Sequence, residues 1–321
     1  MLLIPALVNI PLALRDKFIM KMDALWLRAN VIKAVRDFFW ERGFLEVETP
    51  LLIPANAPEE HINPITALTS WQLQTSPEIC MKRLLCRGHQ KLFQISHCWR
   101  SNERGSRHLS EFTMLEWYRT GCDYQTLMVD CEELLQRVAT ICRPDSKHYV
   151  HKNSKVDPFA AWQRISVQQA FFKFGQVDVW SCLKEGLYEE ILTSVIEPSL
   201  AAFNSPVILM DYPVELAALA RAKPSNGELA ERFELYVGGL ELANGFSELN
   251  DPGEQRRRFD EANLFRKNAG QSVLPLPEPF LENLALLPQS AGIALGIDRL
   301  VMLTAGADSI DEVVTFSPEE L

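Results

Sequence analysis

The chain has 321 residues, 47% hydrophobic and 23% charged, which is the composition of a globular protein and excludes a disordered one. Thirty-two Lys and Arg against forty-two Asp and Glu leave a net charge of −10, which argues against a protein whose main work is gripping nucleic-acid backbone. Seven cysteines, an odd count with no CxxC pair, speak against a disulfide framework or a zinc ribbon and point to a reducing, cytoplasmic setting.

Met1 to Leu14 is apolar, but Pro5 and Pro11 interrupt it, and Arg15, Lys17 and Lys21 close it well short of the ~20 residues of a membrane span. It reads as part of a short tail over residues 1–24, and no membrane segment is expected elsewhere. From Leu25 to Trp40 the apolar residues Leu27, Val31, Val35 and Phe38 recur at helical spacing, and Gly43 stops the helix. A strand over Phe44–Glu48 ends at Thr49-Pro50. Trp71–Gln74 reads as a strand, and Ser76-Pro77 as an N-cap and first-turn proline for a helix to about Cys86. Leu92–Trp99 and Phe112–Tyr118 read as strands joined by the polar loop Arg100–Glu111, and Leu127–Ile141 as an amphipathic helix. Residues 142–202 read as a poorly patterned helical insertion. Val207–Met210 is a buried strand, and Phe233–Val237 and Leu240–Ala243 flank Gly238-Gly239, a two-residue hairpin signature. Glu254–Ala269 is a charged helix, and Ile293–Leu295 a short strand leading into a helix near Asp298. Strands that arrive as hairpins with helices between them predict an α+β fold with a mainly antiparallel sheet.

The hairpin carries the firmest geometric inference. With Gly238-Gly239 as the loop, Val237 pairs with Leu240 and Tyr236 with Glu241. Glu234 then lies diagonally across from Glu241, at the ~7–8 Å that lets two carboxylates share a cation; a solvated acidic face is the other reading. Along residues 112–118, period two puts Thr113, Leu115 and Trp117 on a core face and Phe112, Met114, Glu116 and Tyr118 on the other. The second set suits either a pocket for a flat base and an amine or an exposed strand face. Upstream, Arg100, Arg104, Arg107 and His108 crowd into one loop, which fits bound phosphate as well as a solvated loop. Gly292 to Arg299 reads as a strand-to-helix turn with Arg299 at the helix N-terminus, where a phosphate can sit, although helix packing also explains its glycines. His148 and His151 have no third partner in view and do not read as a metal site. Cys98 reads as a small buried hydrophobe.

Taken in order, these segments resemble the catalytic domain of class II aminoacyl-tRNA synthetases, with Phe38–Pro54 like motif 1, Phe93–Tyr118 like motif 2 and Gly292–Leu303 like motif 3. Thr75-Ser76-Pro77-Glu78, Glu111 to Glu116 and Glu241 to Leu249 bring the likeness closest to lysyl-tRNA synthetases. About 25 residues precede the region of resemblance, too few for the anticodon-binding OB domain of those enzymes. The resemblance is therefore to the elongation factor P (R)-β-lysine ligase family, with residues 25–321 as the catalytic domain. Ala294 stands where lysyl-tRNA synthetases typically have glycine, a change of one methyl that can shift preference between lysine isomers.

That family activates (R)-β-lysine with ATP and transfers it to a lysine of elongation factor P, so the resemblance implies ATP as co-substrate, Mg²⁺, elongation factor P as partner, lysine or (R)-β-lysine as substrate, and a homodimer formed through motif 1. It implies catalytic roles for Arg100 and Arg299. ATP would be bound by Arg100, Ser101, Asn102, Glu103, His108, Phe112, Glu241, Leu242 and Arg299, with Phe112 stacked on adenine and Arg299 opposite. Glu234 and Glu241 would hold the metal. Ser76, Pro77, Glu78, Glu116, Tyr118, Glu248, Ala294 and Gly296 would form the amino-acid pocket. Ser101-Asn102-Glu103 departs from the usual Arg-Asn-Glu, so Asn102 and Glu103 both stand for the adenine contact. Leu109-Ser110 replaces the usual Asn-Pro. Two other readings stand beside this one. One is a truncated synthetase-like enzyme charging tRNA or a small amine, with tRNA charging not expected. The other is a non-catalytic regulatory subunit, against which the retained Arg100, Glu241 and Arg299 argue.

Overall fold

The computed structural model describes residues 12–321, with side chains from Lys21 onward; residues 1–11 of the predicted tail lie outside it. Its main sheet has nine strands. Eight of them run in the order Leu45–Glu46, Lys91–Trp99, Glu111–Thr120, Ser290–Gly296, Leu240–Ser247, Asn226–Val237, Val207–Pro213 and Gln163–Ser166, and Ala222–Lys223 pairs on Asn226–Val237. Only the two outermost pairings on this path are parallel. The central ones are antiparallel, as predicted.

One face of the sheet is covered by three helices, Leu12–Glu41, Tyr124–Cys142 and Ile297–Ala305, whose apolar stripes share one core. Val31, Val35, Phe38 and Phe39 of the first helix are fully buried there, and Gly43 ends that helix with φ +73°. Asp123 caps the second helix by accepting from Gln125 N at 3.0 Å. From the sheet, Leu115 and Trp117 enter this core, as period two requires. The other face carries the cavity described below and the helices Glu78–Leu85, Pro252–Asn268 and Glu278–Leu284, packed around Phe259, Phe280 and Tyr118.

Two sequence expectations change. The first helix starts at Leu12 rather than Leu25, so the later part of the predicted tail is helical. The segment 142–202 is not wholly helical: it holds the hairpin Tyr149–His151/Ser154–Val156 and the edge strand Gln163–Ser166 before its helical turns begin. Those turns are four to seven residues long and include two π-helical stretches, too short to display a 3.6-residue period. They bury Phe171, Tyr188 and Ile196 against Val207, Leu209 and Tyr236 of the sheet.

A buried ionic junction joins the sheet to its helices. Asp298, in the first turn of the Ile297–Ala305 helix, accepts from Arg28 Nη1 at 2.5 Å and from the backbone N–H of Thr113 at 2.7 Å. Arg28 also donates to Thr113 Oγ1 at 2.7 Å. Asp298→Asn keeps the shape but removes the charge that Arg28 faces. It should lower stability by about 2 kcal/mol, the worth of a hydrogen bond to a charged group, read as a fall in the urea midpoint at unchanged m-value.

Candidate active site

The cavity floor follows from strand register. Glu116, Ala294, Asn244 and Glu234 lie directly opposite one another on four adjacent strands. Two residues along, Tyr118, Gly292, Phe246 and Arg232 form a second row. With strands ~4.8 Å apart, each row runs roughly 14 Å. All eight side chains or backbones line one cavity of about 380 Å³.

At one end of the rows is a cluster of acids around a single buried cation. Glu116 accepts from Ser76 Oγ at 2.5 Å and from the Tyr118 hydroxyl at 2.7 Å. Ser76 Oγ in turn accepts from the backbone N–H of Glu78 at 3.0 Å, but the N-cap is Pro77 rather than the predicted Ser76, because the helix starts one residue later, at Glu78. Lys82 bridges Glu78 and Glu248, with its ammonium 5.1 Å from the Phe246 ring centroid. Burial by itself would lower the Lys82 pKa; Glu248 and Glu78 overcome this and push it up to about 12. Burial pushes the Glu116 carboxyl up to about 8, and Glu78 adds to the shift. The Glu248 carboxyl is raised by burial as well, against the pull of Lys82. Two carboxylates thus share one internal ammonium, and a third acid, Glu116, takes the hydroxyls of Ser76 and Tyr118.

The phosphate-suited end is built by the motif 2 loop and the Ile297–Ala305 helix. Arg299 donates to the Glu241 carbonyl at 2.7 Å, lies 3.2 Å from Glu241 Oε2 and meets His108 Nε2 at 2.6 Å. Burial and the neighbouring Arg299 lower the His108 pKa, so the ring is neutral and can accept. The Arg100 guanidinium sits 5.1 Å from the Phe112 ring centroid and 3.8 Å from Glu103. Beside them Glu234 accepts from Arg232 at 2.6 Å and from the Tyr236 hydroxyl at 2.7 Å. Cys98 is wholly buried and burial raises its thiol pKa, so it is not a nucleophile here.

Of the sequence-derived site residues, the cavity brings together Ser76, Glu78, Arg100, Glu103, His108, Phe112, Glu116, Tyr118, Glu234, Glu241, Leu242, Ala294, Gly296 and Arg299. Four do not line it. Pro77 caps the helix behind it, and Glu248 is covered by Lys82 and Gly292. Ser101 lies outside the wall, its N–H bonded to the Asn63 carbonyl at 2.7 Å. Asn102 takes φ +65° and lines a separate cavity with Arg266 and Pro275, which leaves Glu103 at the site.

The hairpin also holds a correction. Val237 faces Leu240 and Tyr236 faces Glu241 as predicted, but a bulge follows, and Glu234 faces Asn244 rather than Ala243. The extra residue puts Glu241 and Asn244, three apart in sequence, on the same cavity wall. Strict alternation hid Asn244 for that reason, and no signal short of the bulge itself would have found it. Glycine roles shift too. A Cβ at Gly296 would make only ordinary contacts near 3.6 Å with Arg299, whereas one at Gly292 would collide with the Tyr118 ring and Glu248. Of these two glycines, Gly292 is the one that is sterically required. Arg232, Lys82 and Glu59 were also missed, the first two because buried cations look like ordinary surface charges in sequence.

The family model for class II tRNA synthetases (D, K and N) matches residues 12–320. An elongation factor P–(R)-β-lysine ligase of Histophilus somni is 38% identical over 311 residues, covering 91% of this chain and 94% of that protein. Proteins of the same name from Pectobacterium atrosepticum and Pasteurella multocida are 36% and 38% identical, each covering at least 91% of this chain and 94% of their own length. The chain belongs to the class II synthetase family and, within it, to the elongation factor P–(R)-β-lysine ligases. It is accordingly an ATP-using ligase of the synthetase type.

The raised Glu116 pKa has a measurable sign. Its folded value of about 8 exceeds the ordinary 4.5, so its contribution to stability is fully present below 4.5 and lost as pH rises through about 8. Glu116→Gln removes that loss. The melting temperature of the variant relative to wild type should therefore climb between pH 5 and pH 8, and a flat difference would contradict a buried, neutral-leaning carboxyl.

Proposed function

We propose that the chain activates (R)-β-lysine with ATP as an aminoacyl-adenylate and transfers it to a lysine side chain of elongation factor P. The observation that supports this reading is the excess of acids at the amine end: Glu78, Glu116 and Glu248 beside Lys82 alone. Burial holds Glu116 and Glu248 toward their neutral forms, and a ligand bearing ammonium groups would draw them into paired carboxylates; a lysine isomer has two such groups. Lys82 already shows how this pocket holds an alkyl ammonium, between carboxylates and over an aromatic ring.

On this reading Arg100 lies between the two ends, where it meets the substrate carboxylate and the α-phosphate and offsets charge as the phosphorus is attacked in line. Arg299 and neutral His108 take the outer phosphates. Phe112 offers its ring to adenine, and Glu103 is the carboxylate placed for its amino group. Among the described residues no group of three or more His, Cys, Asp or Glu is gathered for a metal. A pair of carboxylates, Glu234 and Glu241, fits Mg²⁺ only if phosphate oxygens complete the shell, which suits a cation that arrives with ATP. Bound there, Mg²⁺ would neutralise the β- and γ-phosphates.

A homodimer is part of the proposal. Trp26, Trp40 and Leu45, on the first helix and the strand after it, are exposed apolar residues that a second copy would cover. All seven cysteines are free and, among the described residues, no helix is long and apolar enough to cross a membrane, which supports a cytoplasmic enzyme.

Incubating purified elongation factor P with the enzyme, ATP and (R)-β-lysine should add the mass of one lysyl residue, while tRNA(Lys) stays uncharged. Efficient, salt-sensitive charging of the tRNA without the protein adduct would overturn the acceptor assignment.

Ala294 sits in the middle of the first floor row, between Glu116 and Asn244. Ala294→Gly enlarges the floor by one methyl and should admit α-lysine more readily. The β-lysine to α-lysine ratio in ATP–pyrophosphate exchange should fall by roughly 10–200-fold, the worth of one methyl in such a pocket. An unchanged ratio would show that this methyl does not touch the amino acid.

A further inference from the structure

Transfer to a protein lysine needs a base, because the acceptor is an ammonium at neutral pH and only its neutral amine attacks. The acids assigned above are engaged. Glu116 accepts from Ser76 and Tyr118, Glu78 and Glu248 hold Lys82, Glu234 is bonded to Arg232 and Tyr236, and Glu241 meets Arg299. Glu59 is different. It lies in the loop after the Leu52–Ile53 strand, and its backbone carbonyl accepts from Arg266 at 3.0 Å. Arg266 also binds the Ile62 carbonyl at 3.0 Å and Asn63 Oδ1 at 2.8 Å, which fixes the loop. Among the described residues its carboxylate has no hydrogen-bond or ion-pair partner.

Its position is a junction. Glu59 lines the amino-acid cavity together with Glu78 and Arg100. It also lines a second opening of about 580 Å³, which shares Ile62, Arg232, Glu234 and Glu241 with the first. Eight glutamates and three arginines line that opening, an acidic approach that draws in an ammonium. The charged groups whose fields act on Glu59 are Arg100, Glu78, Arg232 and Lys82. Burial pushes its carboxyl up to about 7, with Glu78 adding and the three cations opposing. A base is most effective when its pKa lies near the working pH.

We infer that Glu59 is the general base of the transfer step, taking a proton from the acceptor lysine as that side chain enters through the acidic second opening. The inference rests on the function proposed above. The acceptor Nζ gives one proton to the Glu59 carboxylate, and its freed electron pair forms the C–N bond to the acyl carbon. The acyl C–O bond to phosphate breaks, AMP leaves with that pair, and the nitrogen's second proton departs on the AMP phosphate.

The test compares two nucleophiles acting on the same adenylate in wild type and Glu59→Gln. Hydroxylamine is already neutral at pH 7 and needs no base; the lysine of elongation factor P does. Single-turnover transfer to elongation factor P should fall by on the order of 10²-fold or more in Glu59→Gln, while hydroxamate formation falls far less. Glu59→Asp should restore part of the transfer, and the rise of the wild-type transfer rate through pH about 7 should vanish in Glu59→Gln. Equal losses with both nucleophiles, or no loss with either, overturn the base role. Wild-type enzyme that forms no hydroxamate from any lysine isomer instead overturns the proposed function together with this inference.

Discussion

Asp298 is the residue on which the arrangement depends. One carboxylate holds Arg28 of the first helix and the backbone of Thr113 in the motif 2 strand, while belonging to the helix that carries Arg299. The first helix, the motif 2 strand and the helix of motif 3 are thereby locked to one another by short, charge-assisted hydrogen bonds in a buried place. Thr113 points toward the helices, so its neighbours Phe112 and Met114 point into the cavity. Arg299, one residue past Asp298, is delivered to His108 and Glu241. A rigid junction on the helix side of the sheet sets the positions of the charged groups on the cavity side.

On the cavity side the sheet works as a ruler. Adjacent strands place Glu116, Ala294, Asn244 and Glu234 in one row, so the ammonium-binding acids and the second carboxylate pair stand at opposite ends of about 14 Å. Gly292 lets Tyr118 and Glu248 close in beside that row, and Lys82 compensates part of the charge this creates. The pocket holds more acids than cations in a place where desolvation is costly, and on the proposed reading a dicationic substrate would supply the missing positive charge. Binding energy and specificity then come from the same imbalance.

Much of this was legible in the sequence because short-range rules dominate where it matters. Period two separated Leu115 and Trp117 from Glu116 and Tyr118, and Gly238-Gly239, with φ +59° and +76°, fixed the hairpin at its tip. What stayed hidden depends on tertiary structure. The bulge that turns Asn244 onto the cavity has no sequence signature in Leu242-Ala243. Lys82 sits at i+4 from Glu78 like any surface helix pair, and only the fold buries it. Glu59 follows Pro58 in a loop with no periodicity, brought to the site by Arg266, 207 residues away. Asn102 looked like a ligand contact until its left-handed backbone turned it to another cavity.

The central claim is that the amine end selects two positive charges. ATP–pyrophosphate exchange measured side by side with (R)-β-lysine, α-lysine and norleucine tests it most directly, since norleucine keeps the length of the lysine stem but lacks the terminal ammonium. Exchange with the lysine isomers and none with norleucine is the result the account predicts. Exchange with norleucine at a comparable rate would contradict it.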